Sequence, residues 1–199
     1  MYPPKHHIEG NENTIKKVVK TYPFATLVSA KDSKPFITHA PLILDDNTLV
    51  GHIDKNNPHT QVLCNNHPIV AIFHGPQTYI SPSIYTTQQL PTWNYIIAHA
   101  HGFVHTIEDS NLIKQSIVNM TNYLEAPDHK YTLGLDDPKM DRLINYVHGF
   151  QIKIDHWEGK FKLSQDKIPA DIHAAKQILI KNNQTNIENF VNDLFETHF

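Results

Sequence analysis

The order of its secondary-structure signals constrains this chain most. Five or six strand-like segments precede the first long helical pattern, which begins only at Ser110. Residues 24–30, 36–44, 48–53 and 68–73 read as strands, with polar turns at 31–34 and 45–47 between the first three. Residues 93–106 read as a longer strand, with a bulge expected at Gly102, and Pro41 marks an edge or bulge in the second strand. Strands that run before helices, and do not alternate with them, argue for an antiparallel β-barrel over βαβ units.

Helical signals surround this β-rich part. Ile15, Val18, Val19 and Tyr22 recur at helical spacing over 14–21, with Asn13 as the cap and Pro23 as the stop. Asn57-Pro58 opens a helix expected to reach residue 65. Leu112, Ile113, Ile117, Met120 and Leu124 define a helix over 110–124, and Met140, Leu143, Ile144 and Val147 another that Gly149 ends. Phe150, Ile152 and Ile154 then alternate with polar residues, so a strand returns. A turn is expected at Glu158-Gly159-Lys160, leading into 161–165. The chain is helical after Pro169, with a capping box from Thr185 to Glu188.

A length of 199 residues suits one large domain, read as 1–168, with a helical appendage at 169–199 packed on it. The net charge is −3, and Arg142 is the only arginine. Such a chain has no global basic field and lacks the residue that most often reads guanine, so the sequence does not support direct DNA binding. The single cysteine, Cys64, excludes an intrachain disulfide framework and reads as a small core residue of a reducing compartment. No run of about 18 apolar residues is present, so no membrane segment is expected, and the expected location is the cytoplasm.

The stretch 71–95, AIFHGPQTYISPSIYTTQQLPTWNY, carries the most chemistry. A strand is expected to break at Gly75-Pro76 and a second to begin near Trp93. Large rings beside Ser81, Ser83, Thr92 and Asn94 suit a flat ligand with polar edges, because rings cover its faces while hydroxyls and amides satisfy its rim. Thr26, Thr38 and His39 lie on adjacent strands, and Lys162, Ser164 and Gln165 form a donor-bearing strand end. His52 and Lys55 flank the helix start at Asn57-Pro58, which reads as a capped helix with a solvated lysine, or alternatively as an anion site. Fifteen histidines are present. His99, His101 and His105 share period-two spacing, yet no HExxH motif or paired cysteine accompanies them. They read as solvated or core-satisfied groups, and no metal ligands are assigned. No nucleophile motif or general base stands out, so catalytic residues are unknown.

Taken together, FATLVS at 24–29, THAPL at 38–42, Gly51-His52 with Asn57-Pro58, GPQTYISPS at 75–83, PTWNY at 91–95 and EGKFKLSQ at 158–165 resemble the PaiB family. That family comprises FMN-binding proteins assigned to transcriptional regulation and named for negative control of protease synthesis and sporulation. The resemblance spans about residues 1–168. It implies a mainly β fold, an FMN-binding split barrel like that of pyridoxamine-phosphate oxidases, and a homodimer with the flavin at the interface. By the same resemblance His52, Lys55 and Asn56 would lie near the phosphate, and Thr38, His39 and Ala40 along the isoalloxazine edge or ribityl chain. Ser81, Trp93, Asn94, Lys162, Ser164 and Gln165 would complete the site. The alternative functions are a flavin-dependent oxidoreductase acting on a small molecule and, more weakly, a histidine-rich metal-binding protein.

Overall fold

The computed structural model describes residues 4–184. A 3-10 turn at Lys5–His7 leads into β1 (Ile8–Glu9), α1 (Glu12–Thr21), β2 (Phe24–Lys31), β3 (Lys34–Pro41), β4 (Ile43–Asp45) and β5 (Thr48–Asp54). A second 3-10 turn at Pro58–Gln61 precedes β6 (Pro68–Ile80), and a third at Pro82–Ile84 precedes β7 (Thr92–Ile107). Then come α2 (Ser110–Glu125), α3 (Pro138–Leu143), which continues into a 3-10 turn at Ile144–Tyr146, β8 (Val147–Lys162) and α4 (Pro169–Asn183). The strands form one eight-stranded sheet in the order β3-β2-β6-β7-β8-β5-β4, with β1 paired to β8. β2 runs antiparallel to both β3 and β6, and β5 to both β4 and β8. Among the described residues β3 and β4 are the open ends of this path. The chain therefore has the expected mainly β, split-barrel class of fold with peripheral helices. No helix among the described residues is long and apolar enough to cross a membrane.

Several expected boundaries move. β6 runs unbroken through Gly75-Pro76, and β8 runs through Glu158-Gly159-Lys160 without a turn. Gly75 is glycine because Ile96 lies against it, and Gly159 because Glu9 and Ile15 do; close approach, not a turn, explains both. β7 likewise passes through Gly102 as continuous strand. The helix expected over 57–65 shrinks to the four-residue turn at Pro58–Gln61. Cys64 lies beyond it and is exposed, while Val62 and Leu63 take the buried positions. Gly149 is a strand residue pressed against Ile113, and the preceding helical turn already ends at Tyr146. α1 is capped by Asn11 and not Asn13, its side chain accepting from the Asn13 and Thr14 amides. The capping box at 185–188 lies outside the described residues.

Two compact units are present, and the residues of β6, β7 and β8 divide between them. One comprises Glu9–His74 and Ile97–Gly159. Its core is apolar: Ala25, Leu27, Leu49, Ala71, Phe73, Val104, Phe150 and Ile152 are fully buried. α2 adds Ile113, Ile117 and Val118 to a cluster with Met140, Ile144 and Val147. The β2–β3 hairpin turns at Asp32 and Ser33, whose φ values of 52° and 61° are the left-handed pair that a two-residue hairpin requires.

Gly102 gives this unit a sharp test. A Cβ there would collide with the backbone carbonyl of Lys153, which a rotamer change cannot relieve. Gly102→Ala should destabilise by about 1–3 kcal/mol, the usual cost of overpacking. The expected result is a Tm several degrees lower by calorimetry.

Candidate functional site

The second unit comprises Met1–Ile8, Gly75–Ile96 and Lys160–Phe199. Its interior is unlike that of the first. Thr78, Asn94, Ser164 and Asp171 are buried, whereas Ile80 and Ala175 are its only buried hydrophobics among the described residues. Buried polar groups are tolerated only when hydrogen-bonded, and these four are. Asn94, 1% exposed, donates its amide to Ser164 Oγ at 2.9 Å. The Tyr85 hydroxyl lies 2.8 Å from the same oxygen. Ser164 reaches both because its backbone adopts a left-handed φ of 63° just after β8 ends. α4 supplies Asp171, whose carboxylate accepts from the Thr86 amide at 2.7 Å and hydroxyl at 2.8 Å, and from the Thr87 hydroxyl at 2.5 Å. Burial pushes the Asp171 pKa up, but the hydrogen bonds from Thr87 and Thr86 outweigh it and hold the pKa below the usual carboxylate range.

A cavity of about 290 Å³ opens beside this network. Thr92 and Asn94, two residues apart on β7, face it together with Lys162, Ser164 and His7. Lys162 Nζ donates to Thr92 Oγ1 at 2.5 Å. Lys167, paired to Asp166 at 2.7 Å, stands at the rim. His7 Nδ1 is buried with no protein partner. Burial, then the neighbouring His6 and Lys162, lowers the His7 pKa. The wall thus offers an ammonium, an amide, hydroxyls and an unsatisfied imidazole nitrogen to a ligand with polar edges. That donor set fits the carbonyl- and nitrogen-bearing rim of a flavin.

The expected residues of this unit separate into two sets. Asn94, Lys162 and Ser164 meet at the cavity. Trp93 points to the opposite face of β7, is 49% exposed, donates to Gln77 Oε1 at 3.1 Å and packs near Tyr79. Ser81 caps the turn at Pro82–Ile84 and bonds Ser83 Oγ at 2.8 Å. Gln165 folds back on its own loop, accepting from the Leu163 amide at 2.7 Å and donating to the Phe161 carbonyl at 2.5 Å. Sequence reasoning missed His7 and Asp171, and it singled out Thr92 beside Asn94 without assigning it to the flavin site. The i, i+2 relation of Thr92 to Asn94 is the signal that places both on one strand face.

The other six expected residues belong to the first unit. Thr38 is buried and shared between Asn57 and His59, with His59 Nδ1 3.0 Å from its hydroxyl. Ala40 is buried on the same face of β3. His39 is exposed on the other face, 3.0 Å from Thr26 Oγ1 and stacked with Phe24. Lys55 and Asn56 are exposed, the Asn56 amide donating to Asp54 Oδ1 at 2.7 Å. His52 Nδ1 is buried without a protein partner, so it retains a site for a ligand atom. The turn at Pro58–Gln61 is too short for a helix-terminus anion site, and Asn57 already caps it.

Burial of two of these histidines predicts a pH dependence. Burial, with a minor contribution from His67, lowers the His59 pKa to about 4, and burial lowers that of His52. Between the unfolded value near 6.5 and the folded one, the unfolded chain binds the extra proton, so stability falls as pH falls. For His59 the loss is up to about 3 kcal/mol by pH 4. Urea denaturation at pH 7 and pH 4.5 should show a marked decline in wild type and a shallower one in His59→Gln. Equal slopes would place the titrating group elsewhere.

Residues 1–156 match the family model described as "Putative FMN-binding domain". The chain is 29% identical over 176 residues to protease synthase and sporulation protein PAI 2 of Bacillus subtilis, covering 86% of this chain and 85% of that protein. It is 26% identical over 215 residues to an uncharacterised protein of Emericella nidulans, covering 83% and 85%. Among solved structures, the FAD and heme binding protein of Mycobacterium smegmatis superposes with a TM-score of 0.64 at 15% identity, over 78% of this chain and 73% of that one. The flavocytochrome Anf3 of Azotobacter vinelandii gives 0.64 at 13%, over 80% and 72%. These two share the fold. The family match and the Bacillus relative bear out the resemblance carried by the motifs: the chain belongs to the FMN-binding domain family, related to PaiB.

Proposed function

We propose that the protein is a homodimeric flavoprotein that binds FMN against the polar cavity of the second unit. The observation that carries this reading is the convergence of Lys162, Thr92, Asn94 and the unpartnered His7 Nδ1 on one cavity. Lys162 supplies a positive charge to an electron-rich edge, Asn94 and Ser164 hold that wall rigid, and His7 accepts or donates at its ring nitrogen. When bound, FMN supplies its redox chemistry. The cavity, about 290 Å³, is at the lower limit for a small-molecule site, which favours completion by a second chain. The exposed Tyr79, Leu90 and Trp93 in the same unit suit such an interface. By the Bacillus relative's name we assign a regulatory role in protease synthesis and sporulation to this flavoprotein. The proposed compartment is the cytoplasm, to which the single free thiol of Cys64 is suited.

Added FMN should be quenched by the full chain, and Lys162→Met should weaken binding by about tenfold or more, the weight of a charge-assisted hydrogen bond. No quenching by wild type would remove the flavin reading. Light scattering should give twice the 22.8 kDa chain mass. Retardation of promoter DNA at low salt would assign the regulatory role to direct contact, and its absence to an indirect one.

A further inference from the structure

β7 alternates cleanly beyond the polar cavity. Ala98 and Ala100 enter the apolar core, which places His99 and His101 side by side on the opposite face. β8 is the neighbouring strand and brings Glu158 between them. Glu158 Oε2 lies 3.0 Å from His101 Nε2 and 3.5 Å from His99 Nδ1. The three candidate ligand atoms all lie within 4.8 Å of one another. Atoms bound to one ion at about 2.0–2.2 Å are on the order of 3–3.5 Å apart, so a small movement of the two rings would suffice.

Burial lowers the His99 pKa despite the opposing pull of Glu158. Burial pushes the Glu158 pKa up, yet its hydrogen bonds, one of them to His101, hold it at about 2. The three side chains keep between 20% and 28% of their surface exposed, so the cluster is reachable. His101 also lines a groove of about 390 Å³ with Ser29, Ile69, Phe103 and His156. The His156 ring stacks on His101 at 4.3 Å and 10°.

We propose that His99, His101 and Glu158 form a binding site for a divalent first-row transition metal ion of the zinc class, with a coordination position left open beside the groove. Two imidazoles and one carboxylate are a donor set for such ions, and three protein ligands leave room for water or a small molecule. The site lies wholly in the first unit and is independent of the flavin reading. The sequence supplied only the two histidines at i, i+2. The third ligand is more than fifty positions further along the chain.

The test is a Zn²⁺ titration of the chelator-stripped, tag-free full chain against a chromophoric chelator. Wild type should take up one tight equivalent. His101→Ala and Glu158→Gln should each weaken it at least tenfold, and His105→Ala, on the same strand face, should leave it unchanged. The isosteric Glu158→Gln change keeps the strand packing, and circular dichroism checks that it does. X-ray absorption on zinc-loaded wild type should show two imidazoles and a carboxylate oxygen. No tight equivalent, equal losses in His101→Ala and His105→Ala, or a shell without two imidazoles would overturn the proposal.

Discussion

The Ser164 hydroxyl is the point on which the polar half of this structure depends. It receives the Asn94 amide and meets the Tyr85 hydroxyl, tying β7, the segment after Pro82–Ile84 and the end of β8 to one atom. A hydroxyl has one proton to donate and two lone pairs, so these partners consume much of its capacity. Losing it would leave a buried amide unsatisfied, a penalty of about 1–3 kcal/mol. The left-handed backbone at Ser164 is a further cost, accepted because no ordinary strand continuation would carry the hydroxyl there. Asp171 does the same for the 86–87 loop from the other side. The described residues of this unit bury little apolar surface, and hydrogen-bonded polar groups hold them together.

That polarity separates the two units chemically. The first is an ordinary apolar core of strand residues capped by α1 and α2. Its buried Thr38 and His59 bond each other, while Ser29 Oγ, His52 Nδ1 and His59 Nε2 are buried without a protein partner. The second keeps an ammonium, an amide and an unpartnered imidazole nitrogen at a cavity wall. Hydrophobic burial would have been the easier source of stability for this segment. The described polar interior instead presents donors at the cavity wall, the arrangement on which the proposed flavin site rests.

The elements legible in the sequence were those whose signals are periodic. Ile15, Val18 and Val19 marked α1, Ile113 and Ile117 marked α2, and the polar turn at 31–34 marked the β2–β3 hairpin. The errors fell where glycine and proline were read as punctuation. Gly75, Gly159 and Gly149 look like turns or stops, yet each sits in a strand where a neighbour crowds the place a Cβ would take. That closeness is a tertiary fact, invisible to local spacing. The site was legible in the same uneven way. PTWNY and KLSQ drew attention to Asn94, Lys162 and Ser164, which do converge. Trp93 shares the motif but, by strand alternation, faces away from its neighbour. His7, Asp171 and the partnership of Glu158 with His99 and His101 depend on contacts more than fifty residues apart, and nothing in their local sequence announces them.

The alternation at Trp93 and Asn94 also bears on how a flavin could be held. The cavity presents donors, and donors satisfy a ring's edge; they do not cover its apolar faces. Trp93 and Tyr79, two aromatic groups of this unit suited to that task, lie on the opposite strand face and remain about half exposed. A single chain therefore separates the two kinds of contact that a flat, polar-edged ligand requires. Joining them needs a second surface, and in a homodimer the outward aromatic face of one copy is available to meet the other. The exposed rings are then neither a folding defect nor a chance feature of the surface, because the proposed shared site would need both faces of β7 at once.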